Sequence, residues 1–296
     1  MDINIHFTKK QENGSMTSLS LRYLLKKIIK IVVCNVTTYT GYQYITGSKS
    51  DKKRLKILTY HSINDRIDPD ETVTPDEFER QLQYIKENYK VISLDEAIEC
   101  FQTDFEKISG SVVITFDDGY ADNYYNAYPL LKKHDFPSTI FLISDFVKDS
   151  GSKYLSLPQI DEMKSNNISF GSHTISHQIL ARLPNEEVVR EIKDSKEILE
   201  SLLSQRIDSF AYPVGTRADF DDATIEIVKA CKYTCACSNM YGENSENADI
   251  FALKRIGIET TDTFSLFKQK LDGALNIMSF KDTKFFQKLK RIFFKL

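Results

Sequence analysis

The sequence predicts an α/β protein whose strands pair in parallel, as an open sheet or a closed barrel. Short apolar runs rich in β-branched residues recur along the chain, and most are followed by a stretch with helical spacing of apolar residues. Because consecutive strand–helix–strand units connect by right-handed crossovers, this alternation makes the strands parallel. The chain of 296 residues has the length of one large domain, which α/β barrels often fill.

Seven strands and seven helices are expected, in alternation. The predicted strands cover 55–60, 112–116, 138–143, 168–171, 208–212, 233–237 and 253–258. The predicted helices cover 75–88, 94–101, 122–134, 158–166, 185–204, 221–231 and 263–276. Thr74-Pro75, Ser93 and Pro184-Asn185 suit helix caps or first turns, which supports three of these helices.

The two ends of the chain differ from this alternating body. We expect residues 1–16 to be a disordered extension, because they are polar and aperiodic. Residues 17–45 and 279–296 have apolar residues at helical spacing opposite lysine and arginine, which is typical of basic amphipathic helices at membrane interfaces. Packing of these helices on the body of the protein, or on a second copy, explains the same pattern. The body between them, 55–276, is expected to be one domain.

Charge separates the ends from the body and limits the partners. Residues 1–45 hold six Lys/Arg and two acids (+4), and residues 279–296 hold six and one (+5). With a net charge of −3 overall, the segment 46–278 carries −3 − 4 − 5 = −12. An acidic body argues against nucleic acid as a partner, and basic ends favour an anionic membrane surface.

Cysteine usage and the N-terminal segment bear on the compartment. The five cysteines are an odd number without disulfide spacing, which favours a reducing compartment. A metal cluster of Cys231, Cys235 and Cys237 is a weaker interpretation than a strand with buried thiols. Residues 21–36 make a poor secretory signal, because Lys30 interrupts the apolar core. The sequence therefore predicts a cytoplasmic protein, held peripherally at the inner face of the membrane, with export left open.

Polar residues follow several predicted strands at the position where α/β barrels place their active sites. His61 follows the first strand, Asp117 and Asp118 follow the second, and His173 and His177 follow the fourth. The i, i+4 spacing of the two histidines puts both imidazoles on one face of a helical turn, where they can share a metal ion or remain two surface histidines. Catalytic zinc takes three protein ligands from His and Asp/Glu, so an aspartate can complete the site.

Three short motifs, in this order, resemble the polysaccharide deacetylase family, also known by its NodB homology domain and as carbohydrate esterase family four. They are TFDDGY at 115–120, SHTISH at 172–177 and FAYPVG at 210–215. The resemblance covers roughly 55–276. It implies a distorted (β/α)7 barrel, flanked here by the amphipathic terminal helices, and one divalent metal ion per chain, usually Zn²⁺.

The resemblance also implies a role for individual residues. Asp118, His173 and His177 are expected as metal ligands, and Asp117 as the general base toward a metal-bound water. The backbone N–H of Val214 is expected to stabilise the oxyanion. Tyr212 and Tyr120 are expected near the substrate, although Tyr120, Tyr124 and Tyr125 equally fit the buried face of a helix.

Two departures from the family pattern concern the catalytic assistants. The arginine that usually steadies the base is replaced by Ala211, and no histidine follows His177 to act as the general acid. ILTYHSIND at 57–65 resembles an N-terminal motif of the poly-N-acetylglucosamine deacetylase branch, in which the motif order is circularly shifted. On that pattern His61 is the acid, and the alternative is a histidine that caps a strand. The residue that orients Asp117 stays open.

The predicted function is a metal-dependent N-deacetylase of an N-acetylated amino-sugar saccharide, either a cell-surface polysaccharide or its precursor. Two alternatives remain at this point. One is a different amide hydrolysis on the same barrel, such as deformylation of a lipid-linked amino sugar. The other is a degenerate barrel that binds saccharide without turnover, which the missing arginine favours.

Overall fold

The computed structural model describes residues 54–66, 72–149, 151–274 and 276, together with 28, 31–33, 35–37, 39 and 40. The strands are β1 Lys56–Tyr60, β2 Ser62–Ile63, β3 Thr72–Val73, β4 Val112–Phe116, β5 Ser138–Leu142, β6 Ile168–Ser172, β7 Ser209–Ala211, β8 Cys235–Tyr241 and β9 Leu253–Gly257. The α-helices are α1 Pro75–Asn88, α2 Leu94–Thr103, α3 Tyr128–His134, α4 Ser144–Lys148, α5 Leu157–Lys164, α6 Asn185–Leu203, α7 Asp222–Ala230 and α8 Phe264–Leu271.

Seven parallel strands close into a barrel in the order β1-β4-β5-β6-β7-β8-β9. Closure comes from pairing of the first and last strands, in the register Leu58 with Ile256 and Thr59 with Gly257. All seven predicted strands are present, and the (β/α)7 barrel is confirmed. The barrel brings the carboxyl ends of all its strands to one face.

Side-chain alternation along the strands sorts the core into two clusters. Leu58, Ile114 and Phe210 pack with the apolar faces of α1 and α6 on the outside of the barrel. Their strand neighbours Ile57 and Val113 belong to the second cluster, which faces the barrel interior and includes residues of α2. Thr115, Asp117 and Arg255 are buried polar residues near the carboxyl ends of the strands.

The predicted helix over 122–134 is divided into a π-helical turn, Asn123–Ala127, and α3. Pro129 lies in the first turn of α3 and has no N–H to donate to the carbonyl of Tyr125. The N–H of Tyr128 instead reaches back five residues to the carbonyl of Asn123. Wide turns of this kind occur frequently at functional sites. The sequence prediction also missed α4 and the small parallel sheet of β2 and β3.

Part of the N-terminal amphipathic segment lies against the body. Ile31 and Val33 pack with Leu266 and Ala274, and the Thr37 hydroxyl donates to the Ala274 carbonyl at 2.8 Å. The helical residues Ile28, Val32, Val36 and Tyr39 are exposed on the remaining surface. Within the described residues, no helix combines the length and apolar character needed to cross a membrane. The predicted extension 1–16 and C-terminal helix 279–296 lie outside the described residues.

Candidate metal centre and active site

The polar residues predicted at strand ends meet on one face of the barrel. Asp118 Oδ1 lies 3.6 Å from His173 Nε2 and 3.5 Å from His177 Nε2. One ligand atom from each of these three residues lies within 4.8 Å of the others. Asp118 and His173 are buried, and His177 is half-buried, so the group opens to solvent on one side only.

The two distances from Asp118 to the histidine nitrogens fit a tetrahedral metal ion. Two ligand atoms that are each about 2.1 Å from a tetrahedral zinc ion lie about 3.4 Å apart, close to the two distances around Asp118. Asp118 Oδ1 is buried and accepts no hydrogen bond within the described part of the chain. A buried carboxylate oxygen without a donor is costly unless a cation compensates it. No other group of three or more His, Cys, Asp or Glu side chains in the described residues suits a metal, including the cysteines.

His173 is held in the tautomer that a metal requires. Its Nδ1 lies 2.8 Å from the carbonyl oxygen of Ala211, and since a carbonyl only accepts, Nδ1 carries the proton. The lone pair of Nε2 therefore faces Asp118. Burial lowers the pKa of His173 despite the neighbouring carboxylates Asp117 and Asp118, so the imidazole is neutral near pH 7.

The histidines lie on an irregular loop after β6, so the predicted helical turn is wrong. Thr174 and His177 both have left-handed backbone conformations, with φ of 70° and 60°. The loop is fixed by Glu191 of α6, whose carboxylate accepts from the N–H groups of Ile175 and Ser176 at 2.9 and 3.0 Å. The Ser176 hydroxyl also donates to Glu191, at 2.7 Å. This loop, rather than a helix, brings the two rings to a centroid distance of 4.8 Å.

Asp117 forms a bidentate ion pair with Arg255 of β9. The Arg255 guanidinium donates to Asp117 Oδ1 at 2.7 Å and to Oδ2 at 2.6 Å, and both side chains are fully buried. Burial alone would raise the pKa of Asp117, but the charge and hydrogen bonds of Arg255, together with the neighbouring His173 and His61, hold that pKa well below its usual range. Asp117 is therefore a carboxylate at every physiological pH.

The sequence left the partner of Asp117 open, and in the structure that partner is Arg255. It is further positioned by bonds from Nε to the Ser238 carbonyl at 2.9 Å and from Nη1 to the Thr115 hydroxyl at 3.2 Å. Sequence reasoning missed it because it is 138 residues from Asp117. Its only signal in the sequence was its position two residues after Leu253 in an apolar strand. Side chains two residues apart lie on the same face of a strand, so Arg255 shares the inward face of Leu253.

His61 lies beside the same carboxylate. Its Nε2 is 4.0 Å from Asp117 Oδ2, the same distance that separates His173 Nε2 from that oxygen. The Asn123 amide donates to the His61 carbonyl at 2.7 Å, which ties the end of β1 to the π-helical turn. Asp122 reinforces the tie by accepting from the Ser62 hydroxyl at 2.6 Å and the Ile63 N–H at 3.1 Å.

Val214 occupies a strained turn after β7. It is exposed and has a φ of 59°, which is unfavourable for a β-branched residue and typical of functional sites. The amide of Asn239 donates to the Val214 carbonyl at 3.1 Å. A side chain on Gly215 would come within 2.8 Å of the Asn239 backbone nitrogen, so this close turn requires glycine.

The structure corrects the expectation for Tyr212. Its side chain is fully buried, stacks on Phe220 with centroids 3.9 Å apart, and donates its hydroxyl to the Phe251 carbonyl at 2.9 Å. These contacts support the turn that carries Val214, and they keep the side chain away from a substrate. Tyr120, in contrast, is half-buried and lines a cavity together with Ser62 and Asp122.

Comparison with known proteins agrees with this geometry. A family model described as polysaccharide deacetylase matches residues 106–236. The Bacillus subtilis (strain 168) protein YxkH, whose name places it with the polysaccharide deacetylases, is 33% identical over 216 residues, which are 72% of this chain and 75% of YxkH. The chain belongs to the polysaccharide deacetylase family. It is therefore a hydrolase of the class that acts on amide bonds of polysaccharides.

Two further relatives of this deacetylase-family chain have more specific names. The poly-β-1,6-N-acetyl-D-glucosamine N-deacetylase of Staphylococcus epidermidis is 27% identical over 252 residues, covering 76% of this chain and 86% of that protein. The solved structure of the Streptococcus pyogenes deacetylase PplD in complex with acetate superposes with a TM-score of 0.67 at 30% identity. That match covers 74% of this chain and 98% of PplD.

Proposed function

We propose that this chain is a metal-dependent N-deacetylase that hydrolyses acetamido groups of an N-acetylated amino-sugar saccharide, a cell-surface polysaccharide or its precursor. The observation that carries the proposal is the pairing of two carboxylates with different partners. Asp118 faces two histidine nitrogens, and Asp117 faces Arg255. Asp118 is thus placed to bind a cation, and Asp117 is placed to accept a proton. The name of the Staphylococcus epidermidis relative supports an amino-sugar polymer as the substrate class.

Asp118, His173 and His177 would hold the metal ion, with zinc as the expected species. Such an ion lowers the pKa of water toward neutrality and polarises an amide carbonyl. His173 contributes a neutral imidazole whose Nδ1–H is fixed by Ala211, and Glu191 fixes the loop that carries His177. These supporting contacts hold the ligand atoms in place before a substrate arrives.

Asp117 would act as the general base. Its Oδ2 lies between His61 and His173, at 4.0 Å from Nε2 of each, and can take a proton from the water that attacks the acetamide carbon. Arg255 directs both oxygens and keeps the carboxylate ionised. The pairing of Arg255 with Asp117 supports a catalytic barrel over a degenerate one, because an arginine is present beside the proposed base although the third motif lacks one.

His61 would act as the general acid. Its half-buried ring sits at the rim of the site beside Asp117, from where it can donate a proton to the sugar nitrogen as the carbon–nitrogen bond breaks. The N–H of Val214 would donate to the developing oxyanion from its strained, exposed turn. Together Asp117, His61 and Val214 would supply a base, an acid and an oxyanion donor from three different strand ends.

Acetate release tests the proposed function. Oligomers of β-1,6-linked N-acetylglucosamine are incubated with the wild type, with Asp117→Asn and with enzyme treated with a chelator. We expect release by the wild type, loss of about 10²-fold or more in Asp117→Asn, and loss on chelation that zinc restores. Equal release by the wild type and Asp117→Asn would contradict the role of the base, and no release from any acetylated saccharide would contradict the function.

We also propose that residues 17–45 and 279–296 hold the catalytic domain, 55–276, at the inner face of an anionic membrane. The charges of +4 and +5 on the two end regions support this, as does the exposure of Ile28, Val32, Val36 and Tyr39. Co-sedimentation with vesicles containing anionic lipid, compared for the full chain and a chain lacking 279–296, measures the contact. Unchanged partition after the deletion would contradict a role for that segment.

A further inference from the structure

The backbone that carries His61 is held at two consecutive carbonyl groups by the segment that follows β4. The Asp117 N–H donates to the Tyr60 carbonyl at 2.9 Å, and the Asn123 side-chain amide donates to the His61 carbonyl at 2.7 Å. Because a peptide group is planar, these two bonds restrain the peptide planes on both sides of the His61 Cα. They therefore restrain φ and ψ of His61, and with them the direction in which its side chain leaves the backbone.

Asp122 extends this hold to the next two residues and also fixes the Asn123 amide. Its carboxylate accepts from the Ser62 hydroxyl at 2.6 Å and from the Ile63 N–H at 3.1 Å. The same carboxylate accepts from the Asn123 amide nitrogen at 3.1 Å. That nitrogen thus lies between two acceptors, Asp122 and the His61 carbonyl. Since only the nitrogen of an amide donates, these partners determine which way the Asn123 side chain is turned.

The burial of Asn123 has an energetic cost. Asn123 is the first residue of the π-helical turn and is fully buried. Its amide oxygen accepts no hydrogen bond from the described residues, and a buried acceptor without a donor destabilises a fold. An apolar side chain would avoid this cost, so packing does not explain an asparagine at this position. The contacts of its amide nitrogen with the end of β1 do explain it.

We propose that Asn123 is a positioning residue for the general acid, and that Asp122 supports it. The inference rests on the proposed function, in which His61 protonates the leaving nitrogen, and it names the contact that places this acid. Acting through the backbone, Asn123 holds the His61 ring with Nε2 4.0 Å from Asp117 Oδ2. Loss of the amide frees the peptide plane between His61 and Ser62, and a misplacement of about 1 Å can lower a rate by about 10²-fold.

A double-mutant cycle with His61 tests this assignment. The kcat and KM for acetate release from oligomers of β-1,6-linked N-acetylglucosamine are measured for the wild type, Asn123→Ala, His61→Gln and the double variant. We expect Asn123→Ala to lower kcat about 10–100-fold, with KM within about twofold of the wild type. In the His61→Gln background the same replacement should lower kcat by less than about twofold more, because Asn123 acts only through His61.

Asn126→Ala is the matched control within the same turn. The Asn126 amide also donates at 2.7 Å, but to the carbonyl of Ile63, which lies beyond His61 along the chain. Its removal should therefore lower kcat much less than Asn123→Ala does. An equal loss in the two variants, or an undiminished effect of Asn123→Ala in the His61→Gln background, would overturn the assignment, because a general loosening of the segment would then explain the result.

The His61 ring also gives a readout that needs no turnover. The chain has five histidines, so nuclear magnetic resonance of isotope-labelled histidine gives few ring signals, and the His61 signal is the one missing from His61→Gln. At one fixed pH we expect this signal to shift or broaden in Asn123→Ala and to stay in place in Asn126→Ala. An unchanged signal in Asn123→Ala would also overturn the assignment. If the signal changes in Asn123→Ala but no acetylated saccharide is hydrolysed by the wild type, the placement of His61 stands and the deacetylase proposal fails.

Discussion

Arg255 controls both the charge state of Asp117 and part of the stability of the barrel. Two buried charges that satisfy one another become costly when one is removed, because the other is left unpaired in an apolar interior. We therefore expect Arg255→Ala to lower the free energy of unfolding by about 3–5 kcal/mol. Arg217→Ala breaks an ion pair with the exposed Asp222 and should cost only about 0–1 kcal/mol. Chemical denaturation of both variants, and of Arg255→Lys, measures the difference.

The same substitution should shift the pH dependence of activity. Without Arg255, burial is the main influence on Asp117, and its pKa rises. Because the base must be ionised, the acid limb of the kcat/KM profile should move to higher pH in Arg255→Ala and less in Arg255→Lys. An unmoved acid limb in Arg255→Ala would show that Asp117 is not the group that titrates in it.

In the wild type, the free energy of unfolding should decrease at acid pH through the same carboxylate. The folded-state pKa of Asp117 lies below its unfolded value of about 3.9, so its pairing with Arg255 stabilises the fold above that pH. This contribution is lost as the pH falls below about 4 toward the folded-state pKa. The stability difference between the wild type and Arg255→Ala should begin to narrow as the pH falls through the raised Asp117 pKa of the variant, and should keep narrowing toward the lowered Asp117 pKa of the wild type.

His61 provides a test that separates catalysis from strand capping. If it donates the proton to the leaving nitrogen, His61→Gln should lower kcat by about 10²–10⁴-fold while the metal content and melting temperature stay close to wild type. If it only caps β1, activity and stability should fall together or not at all. Steady-state kinetics beside elemental analysis of the same preparation distinguishes the two.

At the scale of elements, the loop after β6 that carries the two histidines is held by a contact with helix α6. Glu191 lies on the buried face of α6 with Val188 and Ser195, an apolar stripe in which a carboxylate is unusual. That position was visible in the sequence, but its partners, the N–H groups of a loop 15 and 16 residues earlier, were not.

Glu191 should affect metal affinity without being a ligand. In the wild type, the two carboxylate oxygens of Glu191 accept three hydrogen bonds from Ile175 and Ser176. Glutamine has only one side-chain oxygen to accept them, so the loop that holds His177 should loosen. We expect zinc affinity to fall about 10–100-fold, as for other supporting contacts of metal ligands. Competition with a chelating dye measures it. Glu197→Gln, on the exposed face of the same helix, is the control and should leave affinity unchanged.

Elements with regular patterns were predictable, and irregular ones were not. Seven apolar runs gave seven strands, and Thr74 and Ser93 mark the starts of α1 and α2, with capping bonds of 3.3 and 3.0 Å. The i, i+4 histidines misled the prediction, because left-handed residues at 174 and 177 produce the same proximity without a helix. The π-helical turn depends on the hydrogen bond from the Tyr128 N–H to the Asn123 carbonyl. The spacing of apolar residues does not specify that bond.

At the scale of the whole molecule, closure of the barrel makes the site complete. The motifs in the sequence supplied Asp117, Asp118, His173 and His177, because each follows a strand whose carboxyl end faces the same side. Arg255 reaches Asp117 only because β9 closes onto β1, which pairs with β4. A partner this far along the chain has no local signature, so the fold had to be known before the arginine could be found.

The metal content of the purified protein tests the central claim most directly. Wild type, His173→Ala and His134→Ala are incubated with zinc, desalted and analysed by elemental mass spectrometry. His134 is a buried histidine paired with Glu79 away from the proposed centre, so its removal controls for the loss of a buried imidazole. We predict about one zinc per chain in the wild type and in His134→Ala, and loss of that zinc in His173→Ala. Equal metal content in all three proteins, or none in the wild type, would contradict a metal centre at Asp118, His173 and His177.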